Sequence, residues 1–467
     1  MTSVFEEQNI PKAIFRVGLP AMLGQLTTLI YNLADTFFVS MTDDPDMIAA
    51  VTLCTPILLI IMSIAAIFGA GGSSVIARLM GEGKNKDAGT TLNFCGYAMG
   101  GAGIITLAFG LLFMSSVARI AGADTANFGY TCDYLRYIFL GAPFIMLSNG
   151  FVNLFRSAGK IKESTIGLML GNIINIVLDY IFIIPFQWGT AGAALATSMG
   201  FACSTVYFLV CMFREERRGN ELFKLSPKQF RADQTMVWDV ISIGVPGALI
   251  TVLMSVSNMV LNNYIAIYGS NAVAAYGIAY KIDMVPIMLS VGLSQGVAPL
   301  IGFYYGADEK RRMSSAMRCS ILYDVLLGAL FVALFLSWGN QFVAAFLHEE
   351  SLIQQAGYFL KILCLSAPML GVINMVTSYF QALGKAVQSL LITILRNAIL
   401  FVPAVILLNH WWQLDGVIMA QPVVETALTV VCIALYVLNV SNNEGPTKVK
   451  SSTTHPPQGS ICAPRSR

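Results

Sequence analysis

Apolar runs that carry almost no charge recur along the whole chain, separated by short polar connections. Examples are TLAFGLLFMSSVA, IGLMLGNIINIVLDYIFIIPF and ILFVPAVILL. Each lies within a segment of roughly 20 residues, the length that crosses a bilayer as a helix. Lipid offers no hydrogen-bond partners to the backbone, and continuous apolarity without strict alternation excludes the strands of a barrel. The pattern predicts an all-α membrane protein with about twelve transmembrane helices, which we number as spans 1 to 12.

Lys and Arg are concentrated in alternate connections between these spans. The basic connections contain Arg78 with Lys84, Arg156 with Lys160, a cluster from Arg214 to Arg231, Lys310 with its neighbours, and Lys385. The intervening connections, such as MTDDPD, QWGT and YGSN, contain no Lys or Arg. By the positive-inside rule, the basic connections and both termini are predicted to be cytoplasmic, in a multi-pass protein of the cell (inner) membrane.

The second half of the chain repeats the first. The segment GAPFIMLSNGFVNLFRSAGK aligns with SAPMLGVINMVTSYFQALGK, so that Pro143 pairs with Pro368, and Trp188 later pairs with Trp412. This register predicts two pseudo-symmetric lobes of six helices each. We expect an N-terminal lobe at residues 1–213, a cytoplasmic linker at 214–235, a C-terminal lobe at 236–440 and a disordered polar tail at 441–467. Internal duplication of membrane helices is typical of secondary transporters.

Composition narrows the possible functions. Charged residues make up 12% of the 467 residues, whereas a soluble chain has roughly 25%. The formal net charge of +2 is spread without a basic stripe, which argues against a nucleic-acid partner. The nine cysteines include no Cys-x-x-Cys pair, and we expect them to be small packing residues with no metal-binding role.

Two acidic residues lie inside predicted spans, where ionisable groups are costly and by default mark ion or substrate pathways. Asp35 is near the end of span 1 and Asp179 is in span 5, at a similar depth below the outer boundary. Asn175 lies one helical turn from Asp179, and Thr197 in span 6 reaches the same level. These four oxygen-bearing side chains could therefore converge.

The repeat lacks these acids, because the register places Leu261 opposite Asp35 and Ala404 opposite Asp179. A requirement of the fold would apply to both copies, so an acid pair restricted to one lobe favours a cation site. The alternative is that each aspartate caps a helix end or hydrogen-bonds a neighbouring helix.

Several segments resemble the multidrug and toxic compound extrusion (MATE) family, and within it the bacterial exporters of cationic drugs. They are GAGGSSVIARLMGEGK after span 2, RSAGK and QALGK after spans 4 and 10, and VLDYIFI in span 5. The resemblance extends from about Ile14 to Val440. It implies two six-helix lobes that alternate access to a substrate between them.

The resemblance also implies roles for individual residues. In ion-coupled members, an Asp of helix 1, an Asn and an Asp four apart in helix 5 and a Thr of helix 6 form an ion site, which corresponds here to Asp35, Asn175, Asp179 and Thr197. A proline that bends helix 1 corresponds to Pro20. Some members carry acids in helices 7 and 10 of the second lobe, but MLGVINMVTSYF in span 10 contains none.

Lys281 and Asp283 of span 8 are further candidates for a substrate or coupling role, although they could also pair with neighbouring helices or snorkel. Methionines such as Met254, Met284 and Met288 could line an adaptable drug cavity or could serve only as packing.

These observations favour an exporter of small amphipathic organic cations that works by antiport against H⁺ or Na⁺. We expect a monomer in membrane lipid, with no cofactor apart from the coupling ion. Two alternatives remain open. A flippase for a lipid-linked precursor would need basic residues in the central cavity, and a membrane-embedded transferase would need a catalytic constellation that the sequence does not display.

Overall fold

The computed structural model describes residues 4–42, 44–224, 233–347 and 349–443, and within these ranges the regular structure is helical. The helices are α1 (Ile10–Ser40), α2 (Pro45–Gly81), α3 (Asn85–Leu112), α4 (Met114–Ile120), α5 (Phe128–Ser157), α6 (Ile161–Ile183), α7 (Gly189–Arg217), α8 (Gln234–Ala266), α9 (Ser270–Gly306), α10 (Lys310–Ala344), α11 (Glu350–Leu363), α12 (Ala367–Ala382), α13 (Ala386–Ile394) and α14 (Phe401–Asn443). A π-helical segment, Leu395–Leu400, joins α13 to α14.

The helices account for twelve membrane crossings. Ten helical segments in the described ranges are long and apolar enough to cross a membrane, and α8, with 33 residues, adds another. The last of the ten, Ala386–Ser441, has 56 residues, and at 1.5 Å per residue its ~84 Å length far exceeds a bilayer core of about 30 Å. Its helix is broken at Gln413, where φ is 50° and ψ is −132°. This break divides the segment into two crossings, which confirms the predicted fold class.

Two predicted segments fall partly outside the described residues. Of the predicted linker, α7 extends to Arg217 and α8 begins at Gln234, and residues 225–232 lie outside the described ranges. Of the predicted tail, α14 reaches Asn443, and residues 444–467 lie outside them.

The internal repeat is visible in the backbone at the turns between helices. Gly159 and Gly384, which follow α5 and α12, have φ values of 77° and 74°. Gln187 and Gln413 have φ values of 55° and 50°, in a region that residues other than glycine seldom occupy. The members of these pairs are separated by 225 and 226 residues along the chain. Equivalent turns therefore recur in the same register as the sequence repeat.

Helix packing repeats in the same way. A Cβ atom added to Gly103 of α3 would lie 2.5 Å from the Cα of Pro143 in α5, and one added to Gly328 of α10 would lie 2.5 Å from the backbone nitrogen of Pro368 in α12. In each lobe a glycine thus allows its helix to approach the proline that the repeat places at the equivalent position. Pro143 and Pro368 occupy equivalent places, as the alignment of the two halves predicts.

The two lobes, α1–α7 and α8–α14, meet mainly through α1, α2, α8 and α9. Helix α1 packs against α9, and α2 packs against α8 and α9. Two glycines make the α2–α8 contact unusually close, because an added Cβ would lie 2.0 Å from the carbonyl oxygen of Val240 at Gly71, and 1.9 Å from that of Ile67 at Gly244.

Hydrogen bonds also join the lobes, towards the side where the Lys- and Arg-rich connections lie, which we call the basic face. The Ser74 hydroxyl of α2 donates to the backbone carbonyl of Gln381 in α12, with an oxygen–oxygen distance of 2.6 Å. Gln25 of α1 and Arg156 of α5 both donate to the side-chain oxygen of Gln295 in α9, each at 2.8 Å. The lobes are therefore tied together at this face.

The structure corrects the placement of Arg156. The sequence pattern assigned it to a cytoplasmic connection, whereas it is in the last turn of α5 and only 1% exposed. The guanidinium reaches Gln295 across the lobe interface. A long side chain at a helix end can extend into the protein as readily as into water, and sequence position alone does not distinguish the two.

Candidate functional site

Helices α1 and α6 bring the two predicted acids together in the N-terminal lobe. Asp35 lies five residues before the end of α1, and Asp179 lies four residues before the end of α6. Asp179 is fully buried and Asp35 is partly buried. The two carboxyl groups are close enough to interact electrostatically. The sequence prediction that these residues share a depth and converge therefore agrees with the structure.

The oxygens of these acids have few protein partners. Neither Asp179 side-chain oxygen has a hydrogen-bond partner, nor does the buried Oδ1 of Asp35. An unpaired buried carboxylate is costly, and such a group normally protonates or binds a cation. This environment argues against the alternative that the aspartates are helix caps or interhelical hydrogen-bonding groups.

Asn175 and Thr197 complete the predicted cluster. The Asn175 Nδ2 donates to the Thr197 hydroxyl at 3.3 Å, which joins α6 to α7, and both residues are buried. The amide oxygen of Asn175 has no partner. It shares a helix face with the Asp179 oxygens because the two residues are four positions apart.

Two tyrosines that the sequence did not single out also belong to this cluster. Tyr31, one turn before Asp35 on α1, is buried, contacts the Thr197 side chain and lies near Asp35 and Asp179. Tyr134 of α5 is buried and lies near the same two acids. The spacing of Tyr31 from Asp35 could have indicated a shared face, but no pattern in the sequence links Tyr134 to the site.

A small cavity of about 10 Å³ adjoins the cluster, with Tyr31, Asn175 and Thr197 in its wall. A space of roughly this size can accommodate one water molecule. Carboxylate, amide and hydroxyl oxygens are hard ligands, suited to a proton or to a hard cation such as Na⁺. The set of oxygen donors is therefore suited to one small cation.

Pro20 lies within α1, fifteen residues before Asp35, and α1 runs through it as one helix from Ile10 to Ser40. Proline lacks the backbone N–H that would bond to the carbonyl four residues earlier, here that of Arg16. The position is thus a weak point in the helix that carries Asp35, and the predicted bending role remains a prediction.

Lys281 and Asp283 are separated by the structure. Lys281 is exposed on α9, whereas Asp283 is 1% exposed inside the C-terminal lobe, and neither of its carboxylate oxygens has a partner. The two residues therefore do not form one site, and only Asp283 has the environment of a functional acid.

The C-terminal lobe also contains buried acids, at positions other than those that the repeat aligns with Asp35 and Asp179. Positions 261 and 404 do lack acids, but the C-terminal lobe buries Asp283, Asp324 and Glu425 at other positions. Ser290 donates to Asp324 at 3.2 Å, and Arg396 donates to Glu425. Asp324 and Glu425 each stand alone in a long apolar run, a signal that could have identified them.

A cavity of about 300 Å³ lies in the C-terminal lobe, bounded by α8, α9, α12, the π-helical segment and α14. Met254, Met284 and Met288 line it, together with amide and hydroxyl side chains and the Arg396–Glu425 pair. Its size is at the lower end of the range for small-molecule sites, about 300–1,000 Å³. Three of the methionines noted in the sequence thus lie at a cavity wall.

Comparison with known proteins places this two-lobed architecture in a family. The model of the MatE family matches the chain twice, at residues 20–181 and again at residues 246–407. The chain belongs to the MatE family. The two matches begin 226 residues apart, at residues 20 and 246, so each lobe contains one family unit.

Relatives of the chain include multidrug export proteins named MepA. The protein from Staphylococcus haemolyticus is 31% identical over 422 residues, which cover 90% of this chain and 92% of that protein. One from Staphylococcus aureus is 28% identical over 422 residues, with the same coverage.

Solved MATE structures share the fold. A MATE crystal structure in complex with MaL6 has a TM-score of 0.90 and 25% identity, covering 95% of this chain and 99% of that chain. An outward-facing multidrug resistance MATE transporter has a TM-score of 0.89 and 24% identity, covering 95% of this chain and 98% of that one.

Family membership bears on the alternatives. MATE proteins are transporters, so the membrane-embedded transferase is excluded. The flippase alternative requires basic residues in the central cavity. Arg396 does line the C-terminal cavity, but its charge is matched by Glu425, and no specific feature of the cavity favours a pyrophosphate ligand.

Proposed function

We propose that this MATE-family transporter exports amphipathic organic cations across the cell membrane by antiport against H⁺ or Na⁺. The observation that carries the proposal is the Asp35–Asp179 pair, two interacting carboxyl groups of which three oxygens have no hydrogen-bond partner. The names of the MepA relatives, which are multidrug export proteins, support the choice of drugs as cargo.

The mechanism follows from the electrostatics of the pair. Two carboxylates in a low-dielectric lobe repel each other, and a bound proton or Na⁺ relieves that repulsion. An ion that binds one arrangement of the lobes better than the other shifts the balance between them. Asp35 is on α1, which also contacts α9 of the other lobe. Ion binding at Asp35 can therefore change how the lobes pack.

We propose that the structure represents the outward-facing state. The hydrogen bonds from Ser74, Gln25 and Arg156 across the lobe interface close the basic face. By the positive-inside rule this face is cytoplasmic, and α1 begins and α14 ends on it.

The test is dye efflux by the full-length protein in proteoliposomes, with pH and sodium gradients imposed independently. We expect one of the two gradients to drive efflux and Asp179→Asn to abolish it, while the variant stays folded and still binds a cationic dye. Asn keeps the volume of Asp and some of its hydrogen bonding but cannot change charge. Asp283→Asn is the matched comparison, because it removes the other candidate acid, which belongs to the other lobe and is not expected to abolish coupling.

Loss of coupled efflux in both variants would show that coupling is not local to the N-terminal lobe. Wild-type efflux by a folded Asp179→Asn protein would make that carboxyl group structural and would overturn the proposed coupling site. Efflux that neither gradient drives would overturn antiport itself.

A further inference from the structure

Arg396 and Glu425 form an ion pair in the wall of the C-terminal cavity, in the lobe that does not contain the proposed coupling site. Arg396 donates from Nε and Nη2 to Glu425 Oε1, at 2.9 and 2.7 Å. The side chain of Arg396 is 21% exposed and that of Glu425 is 5% exposed. Among the described residues that line this cavity, these two are the charged ones.

Local structure holds the pair in place. Arg396 and Asn397 lie in the π-helical segment Leu395–Leu400, and short π-helical segments are frequent at functional sites. The Ser257 hydroxyl of α8 donates to the backbone carbonyl of Asn397 at 2.7 Å, and the Asn397 amide donates to the carbonyl of Thr393 at 3.1 Å. Neighbouring groups thus satisfy the irregular backbone, and Arg396 is held towards the cavity.

The pair leaves hydrogen-bonding capacity on both partners. Both donations go to one carboxylate oxygen, and Glu425 Oε2 is buried without a partner. A guanidinium has five N–H donors, so Arg396 retains donors beyond the two that it uses here. A two-oxygen pairing would have satisfied the carboxylate and left less for a ligand.

The pseudo-symmetry of the lobes allows the positions of the pair to be compared with the equivalent positions in the N-terminal lobe. With the shift of 225 residues between Pro143 and Pro368, Arg396 corresponds to Gly171, and with the shift of 224 between Trp188 and Trp412, Glu425 corresponds to Phe201. Gly171 and Phe201 line the small cavity beside the acids of the N-terminal lobe. The positions of the pair thus correspond to the wall of the N-terminal cavity, where they are occupied by glycine and phenylalanine; the charges of Arg396 and Glu425 are particular to the C-terminal lobe.

We infer that the transporter takes a second class of cargo besides the cations proposed above: the C-terminal cavity recognises zwitterionic amphipathic molecules, which carry one carboxylate and one amine, through the Arg396–Glu425 pair. The ligand carboxylate accepts hydrogen bonds from the unused N–H groups of Arg396. The positively charged ligand amine pairs with the carboxylate of Glu425. The net charge of the cavity then stays unchanged. Lining amides such as Asn258, Asn374 and Gln421 offer further polar contacts, while the methionines contact the apolar body.

Charge balance explains why a singly charged ligand should bind less well. A ligand with only a positive charge would share one carboxylate with Arg396, which places two cations together in a low dielectric. A ligand with only a negative charge would compete with Glu425 for Arg396. Breaking a buried pair without replacing the lost charge is strongly unfavourable.

Three dyes with one xanthene–phenyl skeleton test this inference. Rhodamine 110 is zwitterionic, rhodamine 123 is its cationic methyl ester, and fluorescein is anionic. Their equilibrium binding to the purified full-length protein is measured by fluorescence anisotropy without any ion gradient. The inference rests on the proposed export function only in assuming that a transported ligand can enter this cavity. Binding that persists in Asp179→Asn therefore separates a failure of coupling from a failure of recognition.

We expect the wild-type protein to bind rhodamine 110 at least tenfold more tightly than either other dye. Arg396→Gln should lose that preference and favour rhodamine 123, because Glu425 is then left without its internal cation. The double variant Arg396→Gln, Glu425→Gln removes both charges, avoids an unpaired buried charge and should bind all three dyes within about threefold. Arg218→Gln, which breaks the ion pair between the exposed Arg218 and Glu215 far from this cavity lining, should behave as wild type.

Equal affinity of the wild-type protein for rhodamine 110 and rhodamine 123 would overturn the inference, as would tightest binding of fluorescein. Preserved discrimination in the folded double variant would place recognition elsewhere. If Arg396→Gln fails to fold, the double variant alone decides between these outcomes.

Discussion

At the scale of single residues, the two lobes handle buried charge differently. Asp179 is buried with neither oxygen partnered, whereas Glu425 is buried beside Arg396 at 2.7 Å. The charge of a carboxylate that is paired with an arginine is already neutralised, so it gains little from binding a free ion. A buried carboxylate without such a partner is stabilised by binding a proton or a cation. Exchangeable ion binding is therefore proposed for the N-terminal lobe and ligand recognition for the C-terminal lobe.

The neutral members of the N-terminal cluster allow a graded test. Asn175→Ala and Thr197→Ala each remove a neutral hydrogen-bonding group, worth about 1 kcal/mol, so we expect roughly fivefold weaker coupling-ion affinity with a smaller change in maximal rate. Efflux is measured against the concentration of the driving ion. Ser198→Ala is the control, because its hydroxyl bonds to the backbone of Tyr137 instead. A large fall in maximal rate at saturating ion would contradict a role in ion affinity alone.

The sequence identified these residues because charge is scarce in apolar spans. Asp35, Asp179 and their neutral partners stand out, and helical spacing places them on shared faces. The Arg396–Glu425 pair was missed because the contact depends on the π-helical segment that carries Arg396, which no pattern in the sequence indicates. Tyr134 was missed because tyrosine is common in this chain, and only the packing of α5 against other helices brings it to the acids.

At the scale of elements, close helix contacts depend on glycine. Helix lengths and the repeat could be predicted from apolar runs. The π-helical segment and the short α4 could not, because the hydrophobicity of a segment does not show which backbone groups hydrogen-bond to each other. The α2–α8 contact is the clearest case of a packing requirement. Gly71 and Gly244 each meet a backbone carbonyl of the other helix, and a backbone atom cannot rotate away as a side chain can.

Substitution of these glycines should separate the two helices. Gly71→Ala and Gly244→Ala each place a methyl group about 2 Å from a carbonyl oxygen, and overpacking of this kind typically costs about 1–3 kcal/mol. We expect lower thermal stability in detergent, followed by tryptophan fluorescence. Gly100→Ala and Gly101→Ala on α3 are matched controls with open space around the added atom, and helix propensity should leave them neutral or slightly stabilised. Equal destabilisation by all four changes would argue against a special contact.

At the scale of the whole molecule, twelve crossings place the start of α1 and the end of α14 on one side of the membrane. Which side that is follows from the Lys and Arg in alternate connections. The lobe contacts through Ser74, Gln25 and Arg156 lie towards the same side. Orientation and conformational state are therefore linked, since the closed face is cytoplasmic only if the charge rule holds.

Cysteine labelling tests the orientation directly. In a variant without native cysteines, cysteines introduced at Ser270 or Glu349 should react with a membrane-impermeant maleimide in intact cells, because α9 and α11 begin at the face opposite the basic one. Cysteines at Lys84 or Arg217 should react only after the membrane is permeabilised. The converse pattern would invert the topology and turn the closed face outward.

Alternating access requires the lobes to separate at the basic face during each cycle. Gln25 and Gln295 join α1 to α9 there, with 2.8 Å between their side-chain amide nitrogen and oxygen. Cysteines at these two positions, bridged by a short bifunctional thiosulfonate, would tie the lobes together. We expect efflux from proteoliposomes to fall at least tenfold and to recover when the bridge is reduced, because a tethered face cannot open.

The matched control joins two helices of one lobe. Ser148 of α5 and Ser204 of α7 are hydrogen-bonded at 2.8 Å inside the N-terminal lobe, so the same reagent tests for damage caused by cross-linking alone. If the lobes move as rigid bodies, cysteines bridged at these positions should leave most efflux intact. Undiminished efflux with the Gln25–Gln295 bridge fully formed would mean that substrate passes without separation of this contact. Transport would then have to proceed by rearrangement within a lobe, and the rocking of two bundles would be ruled out for this protein.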